Sequence, residues 1–113
     1  MTAAQPLTET SPPIDRAHLK QMTLGDDALA REVLGLFDRQ AMLMIDRMRS
    51  ADRDAQGAMA HALKGSARGV GAWQVAEAAA RFDHGGGDAA ALTALALSVA
   101  RARAEIAQIL QQD

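Results

Sequence analysis

The sequence predicts an all-α protein, folded as an antiparallel four-helix bundle with a short extra helix at its N-terminal end. The 113 residues are enough for one domain with one modest core. Tyrosine is absent and aromatic residues make up only 3% of the chain, a composition that favours helix over sheet. Four long segments repeat apolar residues at helical spacing with short breaks between them, and such segments pack most simply as a bundle.

Aspartates mark the predicted starts of four helices, because a carboxylate there accepts hydrogen bonds from free backbone amides. These capping residues are Asp15, Asp26, Asp52 and Asp88. The predicted helices cover residues 16–22, 27–50, 53–68, 72–83 and, after a glycine break at 84–87, the segment from Asp88 to Leu110. In the first helix, Ile14, Leu19 and Met22 are expected to face inward. Gly69 and Gly71 are expected to end or kink the third helix.

Residues 1–13 are predicted to form a flexible polar tail, and residues 14–113 a single helical domain. The tail has no lysine, arginine or apolar run, so it does not resemble a signal peptide. The longest apolar stretch, 89–100, is too short to cross a bilayer. The net charge of −2 offers no basic footprint for nucleic acid. The absence of cysteine fits a reducing cytoplasm, where we expect the protein to act.

The second predicted helix is apolar over much of its circumference. One stripe at helical spacing comprises Leu29, Val33, Leu36, Phe37, Gln40 and Met44. Leu34, Ala41, Ile45 and Met48 widen this stripe, and Met42 lies on the opposite side. Two interpretations follow: the helix packs against two neighbours in the bundle, or Leu34, Met42 or Ile45 contributes to a docking patch for a partner.

One face of the third predicted helix combines a histidine, two cations and two glycines. With His61 at 0°, Lys64 falls at about −60°, Gly65 at about +40°, Arg68 at about −20° and Gly57 at about −40°. The opposite, packed side comprises Met59, Leu63, Ser66 and Val70. A glycine inside a helix costs about 1 kcal/mol relative to alanine, which suggests that something approaches this face closely.

The chemistry of this face points to a phosphoryl group. An imidazole is a nucleophile near neutral pH, and neighbouring cations favour negative charge at the same place. Gly65 removes a side chain one turn from His61, which would let a partner reach the ring. The alternative for Gly65 is a close helix crossing. The sequence therefore predicts transfer of a phosphoryl group onto and off His61.

The run His61-Ala-Leu-Lys-Gly-Ser-Ala67, followed by Gly71-Ala72, resembles the signature of histidine-containing phosphotransfer domains of bacterial and fungal phosphorelays. The resemblance extends over about residues 14–112. It implies that His61 is the phosphoacceptor, that Lys64 supports it and that Gly65 provides clearance. Arg68 and Gly57 are added from helical geometry alone.

The resemblance implies a monomeric phosphocarrier that shuttles phosphoryl groups between aspartates of response-regulator receiver domains, with a hybrid histidine kinase as a further partner. The chain has no P-loop, so it is not expected to bind ATP or phosphorylate itself. It needs no cofactor of its own, because the receiver would supply Mg²⁺. The alternative is a helical adaptor that binds a kinase or receiver without carrying phosphate.

The remaining candidates for function are given packing or surface roles. His18 and His84 are expected to be plain surface residues, and Trp73 a partly buried packing residue. The three histidines have no mutual i, i+3 or i, i+4 spacing, so a metal site is not expected.

Overall fold

The computed structural model describes residues 11–112, in which there are five helices and no strand. The helices are α1 (Arg16–Met22), α2 (Asp27–Met48), α3 (Arg53–Val70), α4 (Trp73–His84) and α5 (Ala89–Gln111). The predicted all-α fold is confirmed, and each helix starts within one residue of its predicted start. Of the predicted tail 1–13, residues 1–10 lie outside the described part of the chain.

All four predicted aspartate caps are present. Asp15, Asp26, Asp52 and Asp88 each accept a hydrogen bond from the backbone N–H three residues further on, at 2.8–3.0 Å. A cap of this kind contributes about 1 kcal/mol to stability. The helix α4 differs from the other four, since it begins after Ala72 without a side-chain cap.

Gly71, and not Gly69, ends α3. Gly69 remains helical, whereas Gly71 has a φ of +80°, and the N–H of Ala72 donates to the carbonyl of Ala67 at 2.8 Å. A Cβ at Gly71 would lie 2.8 Å from the backbone oxygen of Asp15. The left-handed turn and the close approach of the chain before α1 therefore both require glycine here.

Helices α2 to α5 form the bundle. Each packs against the next, and α5 packs back against α2. The connections are residues 49–52, 71–72 and 85–88, so short that consecutive helices must run antiparallel. The short α1 contacts α2 and α3, and its Arg16 pairs with Glu105 of α5 at 3.2 Å. The helix α3, which carries the predicted site, is thus held by α1, α2 and α4.

The buried face of α2 is rotated away from the predicted stripe. Its buried residues are Leu34, Phe37, Ala41, Ile45 and Met48. Leu29 and Leu36, which the prediction placed in the stripe, are 39% and 48% exposed, and Gln40 is exposed as well. The helix carries apolar residues on both faces, and only its packing against α3 and α5 decides which face is buried.

The helix α1 buries only one side. Ile14, just before it, and Leu19 are buried as predicted. Met22 was predicted to face inward, and that prediction is wrong, because it is 56% exposed. The inner side of α1 continues from Leu19 to the buried Thr23, one turn further on, and Met22 lies outside that side.

A polar cluster attaches the start of α1 to the α3–α4 corner. The indole N–H of Trp73 donates to Asp15 Oδ2 at 2.9 Å, and the His18 ring lies 4.7 Å from the Trp73 ring. Nε2 of His18 lies 3.0 Å from the carbonyl oxygen of Arg68, so it must carry the proton and donate. His18 is half-buried, so its prediction as a plain surface residue is wrong, whereas Trp73 is half-buried as predicted.

This cluster gives Asp15 a measurable role in acid stability. The hydrogen bond from Trp73, and next that from the His18 backbone N–H, lower the pKa of Asp15 below its ordinary value of 3.8. A carboxyl with a lowered folded-state pKa contributes stability above its unfolded pKa and loses it as the pH falls through the folded value. We therefore expect Asp15→Asn, which retains one acceptor oxygen for two donors, to unfold about 1–2 kcal/mol more easily at pH 7.

The difference in free energy of unfolding between Asp15→Asn and the parent should shrink as the solution is acidified. Chemical denaturation at several pH values measures this difference. Asp26→Asn serves as the control, since the Asp26 carboxylate accepts, within residues 11–112, only from the Leu29 amide, and asparagine caps equally well. A gap for Asp15→Asn that stays constant down to the acid transition would contradict this account of the cluster.

Candidate functional site

The exposed face of α3 carries His61. The opposite face is buried through Ala60, Leu63, Ala67 and Val70. The exposed residues from the middle of the helix onward are Ala58, His61, Ala62, Gly65, Arg68 and Gly69. The exposed residue one turn before His61 is Ala58, with only a methyl group, and the one a turn after it is Gly65, with no side chain. The ring stands on a low surface that another protein can approach.

The two predicted cations lie on the turns that follow His61. Lys64 is half-buried and Arg68 is exposed. Within residues 11–112, no hydrogen bond or ion pair engages the side chain of His61, Lys64 or Arg68. Both cations are therefore free to turn toward negative charge brought to the ring.

The two glycines predicted near His61 have different surroundings. A Cβ at Gly65 would meet no atom within 4 Å, so the position is open and the alternative of a close helix crossing is excluded. A Cβ at Gly57 would lie 3.7 Å from a carboxylate oxygen of Asp83, which is an ordinary contact. Gly65 thus belongs to the open face of α3, whereas Gly57 is half-buried beside the end of α4.

The predicted docking residues on α2 need correction. Leu34 is 0% exposed and Ile45 is 5% exposed, so neither can contact a partner, because both fill the bundle core. Met42 is 38% exposed, but it lies in a groove with Ala96 and Ala100 of α5, on the side of α2 away from α3. The structure therefore brings none of the three together with His61.

Two leucines that the prediction missed do lie near the level of the histidine. The side-chain amide of Gln56 donates to the carbonyl of Met48 at 2.7 Å, which sets the register of α2 against α3. Because α2 and α3 run antiparallel with the same rise per residue, five residues away from this contact Leu43 lies near the level of His61. Twelve residues away, Leu36 lies near the level of Arg68. Leu36 and Leu43 are 48% and 47% exposed.

The spacing of these leucines in the sequence could have identified them as one face of α2. Leu29, Leu36 and Leu43 recur every seven residues, so they share one face of α2. That face lies nearly opposite the buried residues of α2, on its solvent side. The sequence alone did not separate this exposed apolar stripe from the buried one.

Among the described residues there is neither a metal-binding cluster nor a helix that could span a membrane. No group of three or more histidine, aspartate or glutamate side chains within 11–112 is arranged to hold a metal ion. Each of the five helices falls short, in length or in hydropathy, of what crossing a bilayer requires.

Comparison with known proteins agrees with this geometry. Residues 27–112 match the model of the Hpt domain family. The fold is similar to the crystal structure of histidine phosphotransferase ShpA from Caulobacter crescentus, with a TM-score of 0.72 and 31% sequence identity over 85% of this chain and 88% of that one. No curated protein sequence matches the chain significantly.

The family match covers most of the chain, and the structural match covers nearly the whole of both proteins. Hpt domains are phosphocarriers rather than kinases, and they work with kinases and response regulators. The chain therefore belongs to the Hpt domain family, and its function is histidine phosphotransfer in a two-component phosphorelay.

Proposed function

We propose that His61 is the phosphoacceptor, which takes a phosphoryl group from a receiver aspartate and passes it to a second one. The observation that carries the proposal is the exposed imidazole on α3, beside the open position at Gly65. His18 is a poor acceptor by comparison, because its Nε2 is held by the Arg68 carbonyl and its ring lies against Trp73. His84 is exposed, but it ends α4 at the glycine loop.

The transfer step uses the lone pair of a neutral ring nitrogen. That nitrogen attacks the phosphorus of the receiver's aspartyl phosphate, the bond from phosphorus to the carboxylate oxygen breaks, and the aspartate leaves as a carboxylate. A protonated ring has no lone pair at the attacking nitrogen and cannot react. The proton on the other ring nitrogen passes to solvent, since the imidazole is exposed. The reverse sequence returns the phosphoryl group to the next receiver.

Lys64 and Arg68 support the transferring group. Both follow His61 on α3, and their side chains are uncommitted within the described residues. Charge-assisted hydrogen bonds to phosphoryl oxygens are about twice as strong as neutral ones. Lys64, half-buried one turn from the ring, holds these oxygens, and the longer Arg68 assists from the next turn.

The receiver completes the site. It supplies the Mg²⁺ that neutralises the phosphoryl charge, since no group of three or more acidic or histidine side chains within residues 11–112 is arranged to hold a metal ion. The chain itself acts as a monomeric, stoichiometric carrier in the cytoplasm, without a kinase site of its own. Exposed Leu36 and Leu43 form the apolar part of the docking face, in place of the buried residues first suggested by the sequence.

The alternative, a helical adaptor that carries no phosphate, makes a different prediction for a simple experiment. The purified chain is incubated with a receiver domain that has been phosphorylated with acetyl phosphate. A phosphocarrier acquires acid-labile phosphate as the receiver loses it, whereas an adaptor binds without acquiring any. Mg²⁺ chelation during the incubation should stop the transfer without unfolding the chain.

Replacement of Lys64 by alanine is expected to slow transfer about 10-fold or more, because a hydrogen bond to a charged group contributes about 1.5–3 kcal/mol. His61 should still become fully labelled at long times. Arg101→Ala removes the same charge from an exposed position on α5 and is the matched control. Equal transfer rates for the parent, Lys64→Ala and Arg101→Ala would leave Lys64 without a role in the reaction.

A further inference from the structure

A cleft of about 310 Å³ opens beside the start of α3, between that helix and the loop joining α4 to α5. Gly57 and Ala58 form its near wall, one helical turn before His61. Asp54 and Asp83 contribute its two carboxylates, and the Phe82 ring lies at its base. The cleft is therefore a direct neighbour of the phosphoacceptor face.

Asp83 is badly placed for the stability of its own helix. It lies in the last turn of α4, where the negative end of the helix dipole makes a carboxylate unfavourable by about 0.3–1 kcal/mol. Within residues 11–112 its carboxylate has no ion pair or hydrogen bond, although Arg81 in the same turn pairs with Glu77. No hydrogen bond or ion pair within the described residues therefore offsets the unfavourable position of this carboxylate.

Charge is divided along the exposed face of α3. Asp54 and Asp83 lie on the N-terminal side of His61, where Arg53 offsets only one of the two negative charges. The Arg53 guanidinium lies toward the loop, with Nη1 3.5 Å from the position that a Cβ at Gly86 would occupy. On the C-terminal side of His61, α3 itself carries the positive charges of Lys64 and Arg68. A partner of matching polarity would meet this face in one orientation.

A receiver that reaches His61 must also cover the cleft. A typical interface buries about 800 Å² on each partner, which corresponds to a disc roughly 16 Å in radius. The near wall of the cleft is only about 5 Å along the helix from His61. Gly57, Gly86 and Gly87 leave width for a long side chain, whose charged end can reach the carboxylates of Asp54 and Asp83.

We propose that the Asp54–Asp83 cleft receives a lysine or arginine side chain of the docking receiver, and that this contact determines which receivers exchange phosphate with the chain. The inference rests on the proposed role of His61, but it concerns a separate set of residues. Complementary charge chiefly raises the association rate and excludes wrong partners. The cleft therefore affects the rate of transfer and leaves the final extent of labelling unchanged.

The test uses isolated receiver domains, phosphorylated with acetyl phosphate, as donors to the full chain. Asp83→Lys is compared with Asp46→Lys, which makes the same charge change at an exposed residue on the α5 side of α2. For receivers that transfer to the parent, Asp83→Lys should lower the second-order rate constant by about 10-fold at low salt. The difference should shrink at high ionic strength, and Asp46→Lys should match the parent.

Two further readouts separate docking from folding and from the phosphoacceptor role. Asp83→Lys and the isosteric Asp83→Asn should melt at or above the parent temperature, because each removes a carboxylate from the end of α4. The final labelling should remain one acid-labile phosphoryl group per chain. A parent chain that acquires no phosphate would contradict the role of His61 instead.

A receiver variant that restores transfer to Asp83→Lys would identify the side chain that enters the cleft. Lysines and arginines of a responsive receiver are replaced by glutamate one at a time, and one replacement should restore fast transfer to Asp83→Lys while slowing transfer to the parent. Equal rates for Asp83→Lys and Asp46→Lys, or the lack of any rescuing receiver variant, would overturn the proposal. Faster transfer to Asp83→Lys would mean that an acidic group enters the cleft, and would overturn it as well.

Discussion

Replacement of His61 by glutamine is expected to abolish phosphate acceptance and to leave the fold intact. The ring is exposed and makes no hydrogen bond within the described residues, so its loss should change the free energy of unfolding by no more than about 0.5 kcal/mol. Glutamine keeps polarity and size but has no nucleophilic nitrogen. Labelling from a phosphorylated receiver, measured beside a thermal melt, checks both expectations.

The matched control for this substitution is His84→Gln, since His84 is also an exposed histidine on a helix. It should accept phosphate as the parent does. His18→Gln is less suitable, because His18 holds the Arg68 carbonyl and would alter the end of α3. If His61→Gln retained labelling and His84→Gln lost it, the acceptor would have been assigned to the wrong histidine.

Gly65→Gln is expected to block transfer while the protein stays as stable as the parent or becomes more so. In a helix, glutamine is more favourable than glycine by somewhat less than about 1 kcal/mol. A Cβ added at Gly65 also meets no atom within 4 Å. In the complex, however, the same side chain would occupy space that the receiver needs to reach His61. Transfer rate and melting temperature should therefore move in opposite directions.

Gly69 provides the control for Gly65. It is one turn further along α3, equally helical and equally open, since a Cβ there also meets nothing within 4 Å. Gly69→Gln should bring the same gain in helix propensity at about 12 Å from the level of His61. A Gly65→Gln variant that transfers as fast as Gly69→Gln would show that clearance at this position is unnecessary.

Much of the fold was accessible from local sequence signals. The four aspartate caps and the helix starts depend on residues close together in the chain, so a few capping rules predicted them. The inward face of α3 was predicted in part: Leu63 and Val70 are buried, but Ala60 and Ala67 are buried in place of Met59 and Ser66, which are half-buried. The exposure of His61 and the openness at Gly65 followed in the same way, because both are consequences of helical geometry around a buried Leu63.

The failures depend on contacts between distant segments. The sequence of α2 supports two apolar stripes, and only the packing of α3 and α5 buries Leu34 and Ile45 while leaving Leu36 exposed. The role of His18 depends on Trp73 and Arg68, which lie 55 and 50 residues further along the chain. The approach of Asp83 to Gly57 is likewise visible only in the folded chain.

The central claim is that His61 carries the phosphoryl group, and the position of that group is its most direct test. The chain is labelled by a phosphorylated receiver, kept at neutral pH and mapped by fragment mass spectrometry, with phosphorus NMR to identify the bond. The account predicts a single acid-labile phosphoryl group bonded to a ring nitrogen of His61. Phosphate found on any other residue, or stable binding of the receiver with no phosphate transferred, would contradict it.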